Sequence, residues 1–257
     1  MQTSGLLDPF PLWTLLPITI AIALISVDAG FRIGRYRRKR TADEPEAPPA
    51  GMVGATLGLL AFMLAFTFGL AGSRFETRRQ LVLSESNAIR TAYLRAELLA
   101  EPTRTNERTM LREYVETRLV GTQPDKIAES IAKSEDLHKR MWSEAATLVE
   151  KEKTAITSLF VQSLNQIIEL HEQRIVAGLR SRIPSAIWIG LYSLLILAMM
   201  AVGYQEAMAS KRRSLAVLML VIGFSTVMVL IADLDRPGQG FLQVSQESMS
   251  DVRKSMD

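Results

Sequence analysis

The sequence predicts an all-α integral membrane protein with four transmembrane helices and a water-exposed helical bundle inserted between helices 2 and 3. Residues 10–27, 52–72, 184–204 and 214–232 carry no charged side chain. Stretches of about 18 to 21 apolar residues can cross a hydrocarbon core about 30 Å thick as helices. Between the second and third stretches, residues 73–183 hold 18 Lys plus Arg against 16 Asp plus Glu. Nothing in that segment alternates apolar and polar as a half-buried strand does, and its apolar residues recur at helical spacing.

The domain reading follows from these spans. Residues 1–33 form the first transmembrane helix with a periplasmic N-terminus, and residues 34–51 a cytoplasmic linker. Residues 52–72 form the second helix and 73–183 the extramembrane bundle. Residues 184–232 hold the third and fourth helices with a short basic cytoplasmic link, and 233–257 form a C-terminal tail. Orientation rests on the positive-inside rule. Arg32, Arg35, Arg37, Arg38, Lys39 and Arg40 follow the first span, and Lys211, Arg212 and Arg213 join the third to the fourth. Both clusters belong in the cytoplasm. The first span lacks a preceding basic residue and a small-residue cleavage pattern, so it reads as a retained anchor. The expected location is the bacterial inner membrane, multi-pass.

Within this frame each element has its punctuation. The acidic, proline-rich run at 41–51 has little to bury and reads as a flexible linker. The second span continues without Gly or Pro beyond Ser73 towards Leu99, so one helix should leave the membrane and run on into water. Pro102 ends it. Helices are then expected over about 103–120, 124–151 and 154–182, broken by Gly121 with Pro124 and by the polar run before Thr154. Pro237 and Gly238 predict a turn after the fourth span. Met249, Val252 and Met256 repeat at helical spacing and predict a short terminal helix against the bundle.

The absence of cysteine in 257 residues excludes disulfides and thiolate chemistry. A net charge of +3, spread almost evenly over the insert, gives no nucleic-acid signature. No nucleophile elbow, phosphate-cradling loop or dinucleotide fingerprint is present, so the reading is a non-enzyme with no cofactor and no metal site.

Three groups of residues invite a functional reading. On the second span Gly54, Gly58, Ala61, Ala65, Gly69 and Gly72 fall on one arc of about 80°, a helix-packing face that lets another backbone approach closely. Phe62, Phe66 and Ser73 occupy the adjoining stripe. They either pack against a neighbouring span or ring a pore and keep it dry. Asp233 and Asp235 stand at the C-terminal end of a membrane helix, where the dipole disfavours acids. Compensation is expected from Arg236, Arg74, Arg78 and Arg182, as an ion-pair cluster or an ion site. Solvated helix faces or local hydrogen bonding account for His171 and His138, and the alternative is a proton-sensing group of Asn165, His171 and Arg174.

The chain resembles the bacterial bestrophin-like family of membrane proteins. The resemblance lies in the stretch from Ala65 through Phe66, Gly69, Ser73 and Arg74 to Arg79, in Glu85 to Ile89 with Tyr93 and Arg95, and in Leu164 and Asn165 with His171 and Arg174. It ends at Asp233 to Pro237 with Gly240. Ser86 and Arg90 depart from it, standing where small Ala and Gly are usual. The resemblance implies kinship with bestrophins, pentameric anion channels whose second membrane helix lines a hydrophobic neck, and hence a correspondence of Phe62 and Phe66 with neck phenylalanines. The acidic calcium-binding clasp of bestrophins has no counterpart run here. The leading reading is a homo-oligomeric ion channel in the lipid bilayer, conducting inorganic anions, with the second span lining the pore. The alternative is a membrane-anchored periplasmic interaction or envelope-stress protein with no transport activity.

Overall fold

The computed structural model describes residues 7, 9–40, 50–209, 215–236 and 240–256. The core of the linker (41–49), the basic link Lys211, Arg212 and Arg213, and the turn expected at Pro237 and Gly238 lie outside the described residues. Eight α-helices are found among those described: α1 (Leu12–Arg40), α2 (Ala50–Ala96), α3 (Thr103–Val120), α4 (Ile127–Lys151), α5 (Ala155–Ile175), α6 (Ser185–Met208), α7 (Leu215–Asp235) and α8 (Glu247–Lys254). Four helical stretches are long and apolar enough to cross a membrane. They run through α1, the first half of α2, α6 and α7. The chain divides into two compact units, with residues 1–74, 182–236 and 240–242 in the first and 75–181, 237–239 and 243–257 in the second.

In the first unit, α1 packs along α6 at backbone distance. A Cβ added at Gly203 would overlap the carbonyl of Val27, and one at Gly30 would overlap that of Met200. Gly34 meets Tyr204 and Ala207 in the same way, one turn further on. Gly30 with Gly34 and Gly203 with Ala207 are therefore a pair of small-xxx-small faces meeting each other, the arrangement that allows van der Waals packing where lipid removes any hydrophobic drive between helices. Thr19 and Tyr192 add a hydroxyl contact of 3.1 Å. This seam explains why α1 continues beyond the apolar stretch to Arg40, through residues expected to begin the linker. Asp28 and Arg32, paired at 2.6 Å one turn apart, support the same extension.

The second unit contains the distal part of α2 with α3, α4, α5 and α8. Its core is a set of stripes at three- and four-residue spacing: Ile89, Ala92 and Ala96 on α2, Leu111 and Tyr114 on α3, Leu137 and Met141 on α4, Phe160, Leu164 and Ile167 on α5. α8 closes this core with Met249 and Val252, joined by Met256 just beyond its end. The C-terminal end of α8 exposes carbonyls and a negative dipole, and Arg112 meets it, donating from Nε to the Met256 carbonyl at 2.9 Å while Tyr93 Oη donates to the same oxygen at 3.0 Å.

Two elements differ from expectation. α2 stops at Ala96 rather than Leu99, where Leu98 and Leu99 turn back onto the carbonyls of Arg95 and Ala96. The helix expected over 154–182 ends at Ile175. The next five residues, Val176–Arg180, form a π-helical turn closed by the Ser181 N–H on the Val176 carbonyl at 2.9 Å. Pro184 forces the preceding residue out of helical geometry, so the chain must unwind before α6 begins.

Candidate functional site

The sequence-derived residues separate into three places. The first is α2 within the first unit. Val53, Leu60, Leu64, Thr67 and Ala71 form its buried side. Gly54, Gly58, Ala61, Ala65 and Gly69 lie on the exposed side and Gly72 is half-buried. At Gly54, Gly58, Gly69 and Gly72 an added Cβ would have no neighbour within 4 Å. Phe62 and Phe66, 67% and 64% exposed, adjoin this stripe, and Ser73 continues it, exposed as well. Among the described residues close helix crossing thus uses Gly30 and Gly203, and the glycines of the α2 ribbon meet no other helix.

The second place is the end of α7. Asp233, Asp235 and Arg236 are all buried. Asp235 lies 3.6 Å from Arg74 and 4.0 Å from Arg182, and accepts the Ile183 N–H at 2.9 Å. Arg182 also donates to the Asp235 carbonyl, one of those left open at the helix end. Asp233 is compensated differently, by the main-chain N–H groups of Phe241 at 2.8 Å and Leu242 at 3.2 Å. Gly240 makes that loop possible, because a Cβ there would collide with the Asp233 carboxylate. Arg236 turns to the carbonyl of Leu7. Arg78, expected with this group, falls in the second unit.

The third place is a buried polar chain in the second unit, built on residues that interrupt the apolar stripes. Glu85 on α2 has no solvent exposure. Its Oε1 accepts from Tyr114 Oη at 2.6 Å and lies 3.1 Å from Arg118 Nε, and its Oε2 accepts from Arg174. Burial alone would raise the Glu85 carboxyl, but Arg174 and Arg118, with the Tyr114 hydroxyl, outweigh it and hold the group at about 2. Burial first, and then the Glu85 charge, pushes the Tyr114 phenol well above its ordinary value, so it stays a proton donor.

Because the Tyr114 proton goes to Glu85, the 3.3 Å contact between Tyr114 Oη and His171 Nδ1 requires His171 to donate from Nδ1. His138 meets the His171 ring edge-on at 4.9 Å between centroids. Burial and then Arg118 lower His171 to about 3, while burial is the main cause that takes His138 to about 4. Both imidazoles are neutral at physiological pH, and each has a buried Nε2 without a hydrogen-bond partner among the described residues. The solvated-face half of the expectation for the histidines is corrected, both rings being buried, while His171 does meet a hydrogen-bonding partner in Tyr114. α4 also turns Ser130 and Ser134 inward, and α5 Thr157 and Ser163. His171 and Arg174 come together here, while Asn165 points to the exposed side of α5.

Sequence reasoning gave no role to Glu85, Tyr114, Arg118 or Glu107. The signal was available as heptad-like stripes with polar members: Val82, Glu85, Ile89 and Ala92 on α2, and Glu107, Leu111, Tyr114 and Arg118 on α3.

The family model for the bestrophin-like domain matches residues 20–249. The chain belongs to the bestrophin-like family. Among solved structures it is similar to two variants of a bacterial bestrophin homologue from Klebsiella pneumoniae. One has 15% identity and a TM-score of 0.65 over 95% of this chain and 97% of that one, the other 14% and 0.62 over 95% and 96%. A further structure, described as a membrane protein, has 12% identity and a TM-score of 0.69 over 95% of this chain and 96% of its own. At such identities the likeness concerns the fold. No curated protein matches the chain significantly.

Proposed function

We propose that this bestrophin-like protein is a homo-oligomeric ion channel, conducting anions, with α2 lining the pore. The observation that carries the reading is the uncovered face of α2. Small residues on a face of α2 that no other described span covers let a second copy's backbone approach closely, and the two phenylalanines one turn apart beside them would then meet their equivalents. Around a symmetry axis Phe62 and Phe66 would form a dry constriction, which resists ions because they must shed water without replacement ligands. Beyond the span the exposed side of the same helix carries Arg90 and Arg79, the latter paired with Glu76 at 3.4 Å, so Arg90 carries most of the attraction for anions at that mouth. Arg74, paired with Asp235, and Arg78, largely buried, contribute less to such focusing than their sequence positions suggest. The second unit faces water as a bundle inserted between the second and third spans of an inner-membrane protein, on the side opposite the basic cluster at Arg32 to Arg40.

The test is ion flux into liposomes with the double variant Phe62→Ala, Phe66→Ala. Both side chains are mostly exposed, so their removal leaves the chain's own core intact, and chloride flux should rise above wild type. Flux at the protein-free background for both proteins, with a monomer in detergent, would favour instead a membrane-anchored periplasmic interaction protein whose second unit binds a partner.

A further inference from the structure

Within the first unit, the spans reach one membrane face together and their ends are tied into a polar layer there. Arg74 at the end of the α2 span and Arg182 ahead of α6 both pair with Asp235 at the end of α7, and Arg236 reaches the Leu7 carbonyl ahead of α1. Charged groups are expensive in hydrocarbon, so this layer marks its edge at that face. The chain then comes back across the layer. Phe241 and Leu242 donate their main-chain N–H groups to Asp233, which stands two residues nearer the middle of the span than Asp235, about 3 Å along the helix. Their side chains do not turn into the protein: Phe241 is 82% exposed and Leu242 is exposed as well. At the same face Phe10, whose N–H meets the Leu7 carbonyl at 3.1 Å, and Trp13, 73% exposed, stand at the start of α1.

We propose that the loop at 240–242 is an interfacial lipid anchor: Phe241 and Leu242, beside Phe10 and Trp13, insert at the boundary between the headgroups and the acyl chains and hold the end of α7 there. Three observations carry the reading. The exposed rings continue the apolar surface of spans that themselves face lipid, so the bilayer is the surface next to them. Residues 237–246 hold no charged side chain, so burying the loop dehydrates no ion. The N–H groups of Phe241 and Leu242 are already satisfied by Asp233, which removes the main cost of taking irregular backbone out of water. Aromatic rings belong at this depth, and apolar groups on peripheral elements reach about 5 to 10 Å into the boundary. Asp233 thus has a use beyond the end of α7, because its carboxylate fixes the loop with Phe241 turned outward. The proposal rests on the membrane spans alone and does not depend on whether the protein conducts ions.

The chain contains no cysteine, so a single Phe241→Cys or Leu242→Cys substitution takes one nitroxide label. The labelled full chain is placed in vesicles of phosphatidylcholine and phosphatidylglycerol. Collision of the nitroxide with oxygen, which concentrates in lipid, is then compared with collision with a neutral nickel chelate, which stays in water. The oxygen-to-nickel ratio at 241 and 242 should be roughly tenfold above that of a label at exposed Glu135 on α4, and below that of a label at exposed Ile222 in the middle of α7. Phe241→Ser, with the label kept at 242, should lower the ratio there at least threefold, while the ratio at Ile222 stays unchanged and shows that the span remains inserted. A ratio at 241 equal to that at Glu135 would place the ring in water. Low collision with both reagents would place it against protein, as at a contact with a second copy. Either result overturns the proposal, as does a ratio at 242 indifferent to Phe241→Ser.

Discussion

Replacing Glu107 by Gln should make the second unit more stable at alkaline pH and leave it unchanged at acidic pH. Glu107 on α3 has no solvent exposure, and neither carboxylate oxygen has a hydrogen-bond partner among the described residues. Burial, and then the Glu144 carboxylate, raises its carboxyl to about 8 from an ordinary 4.5. In the folded chain the proton therefore stays on until about pH 8, whereas the unfolded chain releases it near 4.5. Between those values the folded state binds more protons, so stability falls as pH rises. At about 1.4 kcal/mol per pH unit, an interval of about 3.5 units amounts to about 5 kcal/mol lost by pH 8. Glutamine keeps the volume and the unpaired polar oxygen but cannot ionise. Hydrogen exchange of α3 and α4 amides in the solubilised full chain, corrected for the intrinsic rate, should give matching opening energies for the two proteins at pH 4, below the unfolded value. At pH 8.5 the variant should be several kcal/mol more stable. The neighbouring histidines titrate alike in both proteins and cancel from the difference. Parallel profiles from pH 4 to 8.5 would refute the argument.

Further outcomes follow from the other buried contacts. Glu85→Gln should cost about 3 to 5 kcal/mol, since Arg118 and Arg174 lose the charge that offsets their burial; a change below about 1 kcal/mol in a chemical denaturation series would contradict the network. The wild-type Glu85 carboxyl titrates at about 2, below its ordinary 4.5, so its contribution is complete above pH 4.5 and disappears as pH falls towards 2, an acid dependence that the Gln variant should lack. Gly203→Leu should push α1 from α6 and sharply lower the melting temperature in detergent, while Gly223→Leu, with open space around it, should not; equal melting temperatures would refute the backbone-contact seam. A cysteine at exposed Glu135 should react with a membrane-impermeant reagent on intact spheroplasts and one at Glu46 should not, the opposite pattern inverting the topology.

How much the sequence discloses depends on whether a residue's surroundings are set locally. The four apolar helices, the end of α3 at Val120 before Gly121 and the terminal helix with Met249 and Val252 all follow from period and punctuation, which act within a few residues. The fate of a small-residue face does not. Gly54 to Gly72 and Gly30 to Gly34 carry the same spacing, yet only the second meets a partner helix within the chain, because contact depends on which faces the other spans present. The same limit hid the polar core. A glutamate at a stripe position is either a solvated edge residue or a buried charge, and the difference is decided by arginines 33 and 89 residues away. Glu85 and Glu107 show that the distinction has consequences. Both are carboxylates on apolar stripes with no solvent exposure, but one faces two guanidinium groups and stays ionised to about pH 2, while the other faces a second carboxylate and keeps its proton to about pH 8. A bundle that buries one fixed charge and one neutral acid is held by opposite halves of the pH scale: acid weakens it by protonating Glu85 and by charging His138 and His171, and base weakens it through Glu107. Stability of the second unit should therefore pass through a maximum at intermediate pH, and the Glu107→Gln variant should keep the acid limb while losing the alkaline one.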